Sequence, residues 1–87
     1  MDPDYIEALL VWNERGGSDS VRRWFVDRGF NVMPMRAGLL ISGPRSGFER
    51  ALSVDLEGVE PPIELPIPRE VREHVTSFVI PRPRRIH

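Results

Sequence analysis

The sequence predicts a small α+β domain, and three observations support this prediction. The chain has 87 residues, which is enough for one modest hydrophobic core. Its composition, 40% hydrophobic and 29% charged, is typical of a globular domain. Short apolar runs typical of strands alternate along the chain with segments that have helical spacing. Because the chain contains no cysteine, disulfides, thiolate catalysis and cysteine metal sites are excluded.

The first segment, residues 5–12 (YIEALLVW), is an almost continuous apolar run that fits two structures. It suits a central strand buried on both faces. It also suits a helix, since Asp2 could cap it and Pro3 favours the first helical position. The strand is the preferred interpretation, because the run is short and Gly16-Gly17 ends it directly before a clearer helix start.

That clearer helix is predicted over residues 19–28. Ser18 is a good N-cap, and apolar residues follow at helical spacing. Gly29 can take the left-handed conformation that closes such a helix. We expect Trp24 and Phe25 to pack against a sheet.

Two neighbouring strands are predicted next, over residues 30–35 and 39–42. Residues 36–38 are few enough to form a hairpin loop, with Gly38 available for a positive φ. Pro34 lacks an N–H group, which places it at a sheet edge or a bulge.

A second helix is predicted from the capping-box pattern Ser46-x-x-Glu49 and extends through Leu52. Val54 and Leu56 alternate with polar neighbours, which is typical of a half-buried strand. The resulting order is strand, helix, strand, strand, helix, strand. This order predicts the ferredoxin-like βαββαβ arrangement, an antiparallel sheet with two helices on one face.

The remaining sequence is rich in proline. Residues 58–68 contain four of the nine prolines, so this extended segment suits a sheet edge and cannot be a central strand. Pro68 could open a last short helix with Val71, Val75 and Phe78 on its apolar side.

The chain is therefore expected to form one domain over residues 1–80, followed by an extended, basic, Pro/Arg-rich tail over residues 81–87.

No pattern that would support catalysis is found. His74 and His87 are the only histidines, and neither has a second imidazole at metal-binding spacing. Glu57, Glu60 and Glu64 are acidic neighbours in the proline-rich loop, where solvated carboxylates are expected. Neither a phosphate-binding glycine loop nor a nucleophile elbow is present. The sequence predicts a protein that is not an enzyme and has no metal or cofactor.

Composition also bears on location and on partners. No apolar run approaches the roughly 20 residues that span a bilayer, and the acidic N-terminus does not resemble a signal peptide, so a cytoplasmic protein is expected. The net charge of −1 gives no general attraction to nucleic acid. RNA-binding sheets need aromatic and basic residues in their central strands, whereas residues 39–41 are Leu-Leu-Ile. Weak nucleic-acid binding through the arginines of the tail is the least favoured alternative.

Four motifs resemble those of a known family. Residues 21–32 (VRRWFVDRGFNV) contain Trp-Phe, then three intervening residues, then Gly and an apolar residue, and residues 40–43 (LISG) end a strand in Ser-Gly. Residues 48–52 (FERAL) resemble the next helix, and residues 67–75 (IPREVREHV) place Ile-Pro before a valine-bearing segment. From residue 18 to about residue 80, the chain resembles the activation propeptide of the sedolisin (kumamolisin-type) serine-carboxyl peptidases, which is related to subtilisin propeptides.

The resemblance implies a ferredoxin-like binding domain that inhibits a subtilisin- or sedolisin-type serine protease or assists its folding. In that family the sheet packs on the enzyme, and the chain that leaves the domain runs through the substrate cleft. The alternative function is a stand-alone interaction or oligomerisation module, which could form a homodimer. For residues 78–87, the alternative to a partner-binding segment is a disordered terminal tail. The candidate partner-binding residues are Phe78, Val79, Ile80, Arg82, Arg84, Arg85, Ile86 and His87.

Overall fold

A computed structural model of the protein describes residues 5–82. Within these residues, two α-helices and five strands form an α+β structure. The strands form one antiparallel sheet in the order β2-β3-β1-β5-β4. The elements are β1 (Tyr5–Trp12), α1 (Asp19–Val26), β2 (Asn31–Met35), β3 (Gly38–Pro44), α2 (Arg45–Leu52), β4 (Ile63–Glu64), a short 3₁₀ helix (Arg72–His74) and β5 (Val75–Ile80).

The first apolar run is a strand, as preferred, and it lies at the centre of the sheet. β1 pairs with β3 on one side and with β5 on the other. Ala8 and Leu10 are buried on one face, whereas Leu9 and Val11 on the other face are only half-buried. The continuous apolar pattern of β1 therefore reflects its central position, although only one of its faces is covered.

The helix predicted over residues 19–28 is confirmed, but it ends earlier, at Val26. Ser18 is its N-cap, and the Ser18 hydroxyl accepts a hydrogen bond from the backbone N–H of Ser20 at 3.3 Å. Gly29 has the positive φ expected of a residue that reverses the chain after a helix. Phe25 is fully buried, while Trp24 lies half-buried at the edge of the core.

The hairpin between β2 and β3 is also confirmed, and Pro34 lies on the edge strand as expected. The role predicted for Gly38 is wrong, because this glycine does not have a positive φ. Gly38 is instead required by close backbone approach, since a Cβ there would overlap the carbonyl oxygen of Leu10.

The capping box predicted for the second helix is wrong. α2 begins at Arg45 after Pro44 and has no side-chain N-cap. The Glu49 carboxylate, which the capping box assigned to the start of this helix, accepts instead from the backbone N–H of Leu56 at 2.8 Å. This bond ties the segment after α2 back to the helix.

The strand predicted at Val54 and Leu56 is also wrong, because the backbone N–H groups of both residues donate to Glu49 of α2. Ser53 takes the left-handed conformation, and the N–H of Val54 donates to the Glu49 carbonyl oxygen. With these N–H groups bonded to α2, the segment pairs with no strand, although Leu56 still packs in the core.

The last strand comes later than predicted. The residues that suggested a short α-helix form a turn at Val71, the 3₁₀ helix Arg72–His74 and then β5, which contains Val75 and Phe78. β4 pairs only with β5 at the edge of the sheet, in the position expected for the proline-rich segment. The additional strand means that the element order differs from the predicted βαββαβ order.

The core lies on one face of the sheet and contains a cluster of four phenylalanines. Phe25 of α1 contacts Phe78 of β5, with ring centroids 5.4 Å apart, and Phe30 at 5.9 Å. Phe30 in turn contacts Phe48 of α2 at 4.6 Å. Both α-helices therefore pack on the same face, and the opposite face of the sheet carries neither of them.

Candidate functional site: the open face of the sheet

The sheet face opposite the helices, called here the open face, presents apolar side chains across four strands. The pairing register places Met33 opposite Leu40, Leu40 opposite Leu9, and Leu9 opposite Val79. These four residues, the apolar row, span about 14 Å because neighbouring strands lie about 4.8 Å apart. Met33 is 62% exposed and the other three are half-buried.

A second line of residues widens this apolar surface. Val11 lies opposite Gly38, and Gly38 lies opposite Met35, which is exposed on the edge strand. Contiguous apolar surface is a feature that many interaction sites share, so the open face is the candidate site.

Polar residues border the apolar row on its other side. Asn31 lies opposite Ser42, and Ser42 lies opposite Glu7. The Asn31 side-chain N–H donates to the Tyr5 hydroxyl at 2.7 Å, and that hydroxyl donates to Ser42 Oγ at 3.4 Å. Glu7 is exposed beside this hydrogen-bonded group and forms no ion pair with any residue between 5 and 82.

The charge on the open face is acidic. Glu7 lies beside the apolar row, and Glu64 lies opposite Val79 at its end. None of the five strands contains an arginine. The ion pairs of the described chain lie elsewhere, between Asp19 and its helical neighbours and between Arg15 and Glu73.

The strands of the open face lack the residue types that favour nucleic acid. Phosphate binding requires basic side chains around the contact surface, and base stacking requires several exposed aromatic rings. Among the strand positions of the open face, Tyr5 is the single aromatic residue and arginine is missing.

The predicted partner-binding residues differ in their exposure in the structure. Phe78 and Ile80 are 1% and 6% exposed in the core, so they are not available to a partner. Val79 belongs to the apolar row, and Arg82 is exposed just beyond β5. Four further candidates lie outside the described residues, namely Arg84, Arg85, Ile86 and His87.

Sequence reasoning missed the apolar row, although β1 carries a signal for it. Leu9 and Val11 alternate with the buried residues Ala8 and Leu10, so β1 is apolar on both faces. Two short helices packed on one side cannot cover both faces of a sheet. The apolar residues of the other face are therefore left without a covering helix.

A groove of about 390 Å³ lies on the helical side, between the C-terminal ends of α1 and α2. Trp24 and Arg28 line one wall, and Leu52 and Ile67 contribute apolar surface. The Arg28 guanidinium lies 3.7 Å from the Trp24 ring centroid and donates to the Trp24 carbonyl oxygen at 2.9 Å. This arginine caps the last turn of α1, which accounts for its position without a ligand.

Within residues 5–82, no group of three or more His, Cys, Asp or Glu side chains is placed to hold a metal ion. His74 is half-buried in the 3₁₀ helix, and its carbonyl oxygen accepts from the backbone N–H of Asn13 at 2.9 Å. Neither α-helix in this part of the chain is long and apolar enough to cross a lipid bilayer.

Comparisons with family models, curated proteins and solved structures found no match to this chain.

Proposed function

We propose that this protein is a non-catalytic binding domain whose open face packs against a subtilisin- or sedolisin-type serine protease, acting as an inhibitor or folding chaperone. The observation that carries the proposal is the apolar row, Met33, Leu40, Leu9 and Val79, which no helix of the described chain covers. The side chains of the apolar row provide a contact surface and carry no reactive group themselves.

The topology supports the ferredoxin-like part of the proposal. Four strands lie in the order β2-β3-β1-β5, with α1 connecting β1 to β2 and α2 lying between β3 and β5. This is the strand order of a split βαβ sheet if β4 is counted as an addition at the edge.

The motif residues that suggested the resemblance occupy core positions. Phe25 and Phe48 are fully buried, and a Cβ at Gly43 would lie 2.7 Å from the Phe30 ring. These residues specify the fold more than the function. The protease assignment therefore rests on the resemblance, and the apolar row supplies the surface that such a domain would use.

Burial of the open face alone would give weak binding. Covering a half-exposed leucine, valine or methionine contributes about 1 kcal/mol. The apolar row together with Val11 and Met35 contributes about 6 kcal/mol on that basis. The loss of translational and rotational freedom opposes association by about 4–15 kcal/mol. Tight binding would therefore need further contacts, and the proposal assigns them to the chain that follows β5, through main-chain pairing with the protease.

An inhibition assay tests the proposal. The purified protein is mixed with a panel of subtilisin- and sedolisin-type proteases, and residual activity is measured over time. In parallel, each denatured protease is refolded with and without the protein, and the recovered activity is compared. We expect inhibition or faster recovery for at least one enzyme. If a broad panel shows neither inhibition nor faster recovery, the proposal that the partner is such a protease is wrong.

The second candidate function is self-association through the same face, because an exposed apolar row can also pack against a second copy. Measurement of molecular mass over a wide concentration range tests this candidate, and the position of Glu7 bears directly on the outcome.

A further inference from the structure

Glu7 is a charged residue that lies directly beside the apolar row on the open face. It is two residues from Leu9 along β1, so its side chain leaves the sheet on the same side as the apolar row. Its neighbour across the strand pair is Ser42, which is uncharged and contacts the Tyr5 hydroxyl. The Glu7 carboxylate is therefore exposed to solvent in the free protein. Any molecule that covers the apolar row would also approach this carboxylate.

A second copy is a poor occupant of this face. In a two-fold dimer both contact surfaces are the same, so each copy would bring its own Glu7 into the contact. The five strands contain no arginine, and the arginines that flank them, Arg36, Arg45 and Arg82, lie beyond the strand ends. Glu64, at the far end of the apolar row, adds a second acidic group to each surface. Removing an unpaired carboxylate from water opposes binding strongly, because the lost hydration is not replaced.

A different polypeptide can avoid this problem if it brings the missing charge. We infer that Glu7 prevents the open face from closing on a second copy, and that it selects a partner whose apolar contact surface carries a lysine or arginine opposite Glu7. The inference rests on the proposed function in one respect, since it takes the open face as the binding surface. It adds the chemistry of the partner and favours a different polypeptide over a second copy.

The first experiment needs no partner. Analytical ultracentrifugation compares the full-length wild-type chain with Glu7→Leu, with the near-isosteric Glu7→Gln, and with the control Glu14→Leu. Glu14 is exposed in the turn after β1, outside the paired strands. Circular dichroism checks that each variant is folded, and Glu7→Gln provides the test if Glu7→Leu does not fold.

We expect the wild type and the control to stay monomeric up to about 0.1 mM, and we expect Glu7→Leu to dimerise at least about tenfold more tightly, with a smaller increase for Glu7→Gln. The inference is overturned if the wild type dimerises as tightly as Glu7→Leu, or if both folded Glu7 variants stay as monomeric as the wild type. It is also overturned if deletion of residues 83–87 alone produces the same dimerisation, because the basic tail of the chain would then be what occupies the face.

The second experiment uses any protease that the inhibition assay identifies. Wild-type binding should weaken as sodium chloride is raised, and binding of Glu7→Gln should change much less, because the screened ion pair is missing. Glu7→Lys should bind about tenfold more weakly than the wild type. If salt affects the wild type and Glu7→Gln equally, no basic group faces Glu7. If no protease binds at all, the proposed function fails, while the ultracentrifugation still decides the role of Glu7.

Discussion

Leu9 of β1 lies directly opposite Leu40 of β3 at the centre of the open face, and both side chains are half-buried. One residue further along, Leu10 lies opposite Leu39 in the core, and these two side chains are 1% and 4% exposed. The same strand pair thus presents a leucine pair on each side of the sheet. Because both helices pack on one side, neither helix covers the second leucine pair. This surplus apolar pair is what makes the open face a candidate binding surface.

Met33→Glu is expected to weaken binding of a protease partner about tenfold. The substitution places a charge at the exposed end of the apolar row, where a partner would have to desolvate it. Val26→Glu is the matched control, because Val26 is 43% exposed on α1, away from the open face. Both variants should unfold within about 0.5 kcal/mol of the wild type in urea, since both sites are exposed. Equal loss of binding in the two variants would show that the open face is not the contact surface.

Phe25→Ala is expected to destabilise the domain by about 3–5 kcal/mol. Phe25 is fully buried and contacts the rings of Trp24, Phe30 and Phe78, so truncation removes the centre of the aromatic cluster. A chain of 87 residues has a total stability of roughly 4–13 kcal/mol, so much of the folded population could be lost.

Urea denaturation followed by tryptophan fluorescence measures this effect. Arg22→Ala is a suitable control in the same helix, because its ion pair with Asp19 is exposed and should contribute less than about 1 kcal/mol. A similar loss of stability in both variants would mean that the cluster around Phe25 is not the main packing contact of α1.

The two glycine positions that sequence reasoning singled out show what local signals can and cannot reveal. Ser18 and Gly29 were assigned correctly, because a helix cap depends on residues only a few positions apart. Gly38 was correctly placed beside the hairpin, but its purpose was missed. The backbone that excludes a side chain there belongs to Leu10, 28 positions earlier in the chain, and no local pattern reveals that contact.

The error at the end of the domain has a similar cause. Val71, Val75 and Phe78 have helical spacing, yet Val75 and Phe78 lie on β5. What decides between the two structures is the free edge of β1, which β5 pairs with. The apolar row depends on the same long-range pairing, so the sequence could indicate apolar strands but could not show which residues of different strands lie side by side.

Gly38→Ala should therefore be more harmful than Gly29→Ala. At Gly38 the added Cβ overlaps the Leu10 carbonyl oxygen, so two strands must move apart, and we expect a loss of at least about 2 kcal/mol. At Gly29 no heavy atom lies within 4 Å of the added Cβ, and the expected loss of about 1 kcal/mol arises from the positive φ alone. Chemical denaturation of both variants gives the comparison. If Gly29→Ala proves the more harmful, strand crowding at the hairpin is not what requires Gly38.

Glu49 should hold the segment after α2 in place through its hydrogen bond to the backbone N–H of Leu56. Both groups are partly buried, so Glu49→Ala leaves the Leu56 N–H without its acceptor, and we expect a loss of about 1–3 kcal/mol. Glu49→Gln keeps a neutral acceptor in the same place, so it should lose less stability than Glu49→Ala. It should still be less stable than the wild type, because a hydrogen bond to a charged acceptor is stronger than one to a neutral acceptor.

Amide hydrogen exchange at Leu56, read by NMR, reports on this bond directly. Exchange at Leu56 should accelerate most in Glu49→Ala and less in Glu49→Gln, while the amide of Phe25 in the last turn of α1 should change only as far as global stability changes. Glu57→Ala provides the control, since Glu57 is an exposed carboxylate in the same loop. If Leu56 exchanges at the wild-type rate in Glu49→Ala, another contact holds this segment, and the Glu49 bond would not explain why residues 54–56 fail to join the sheet.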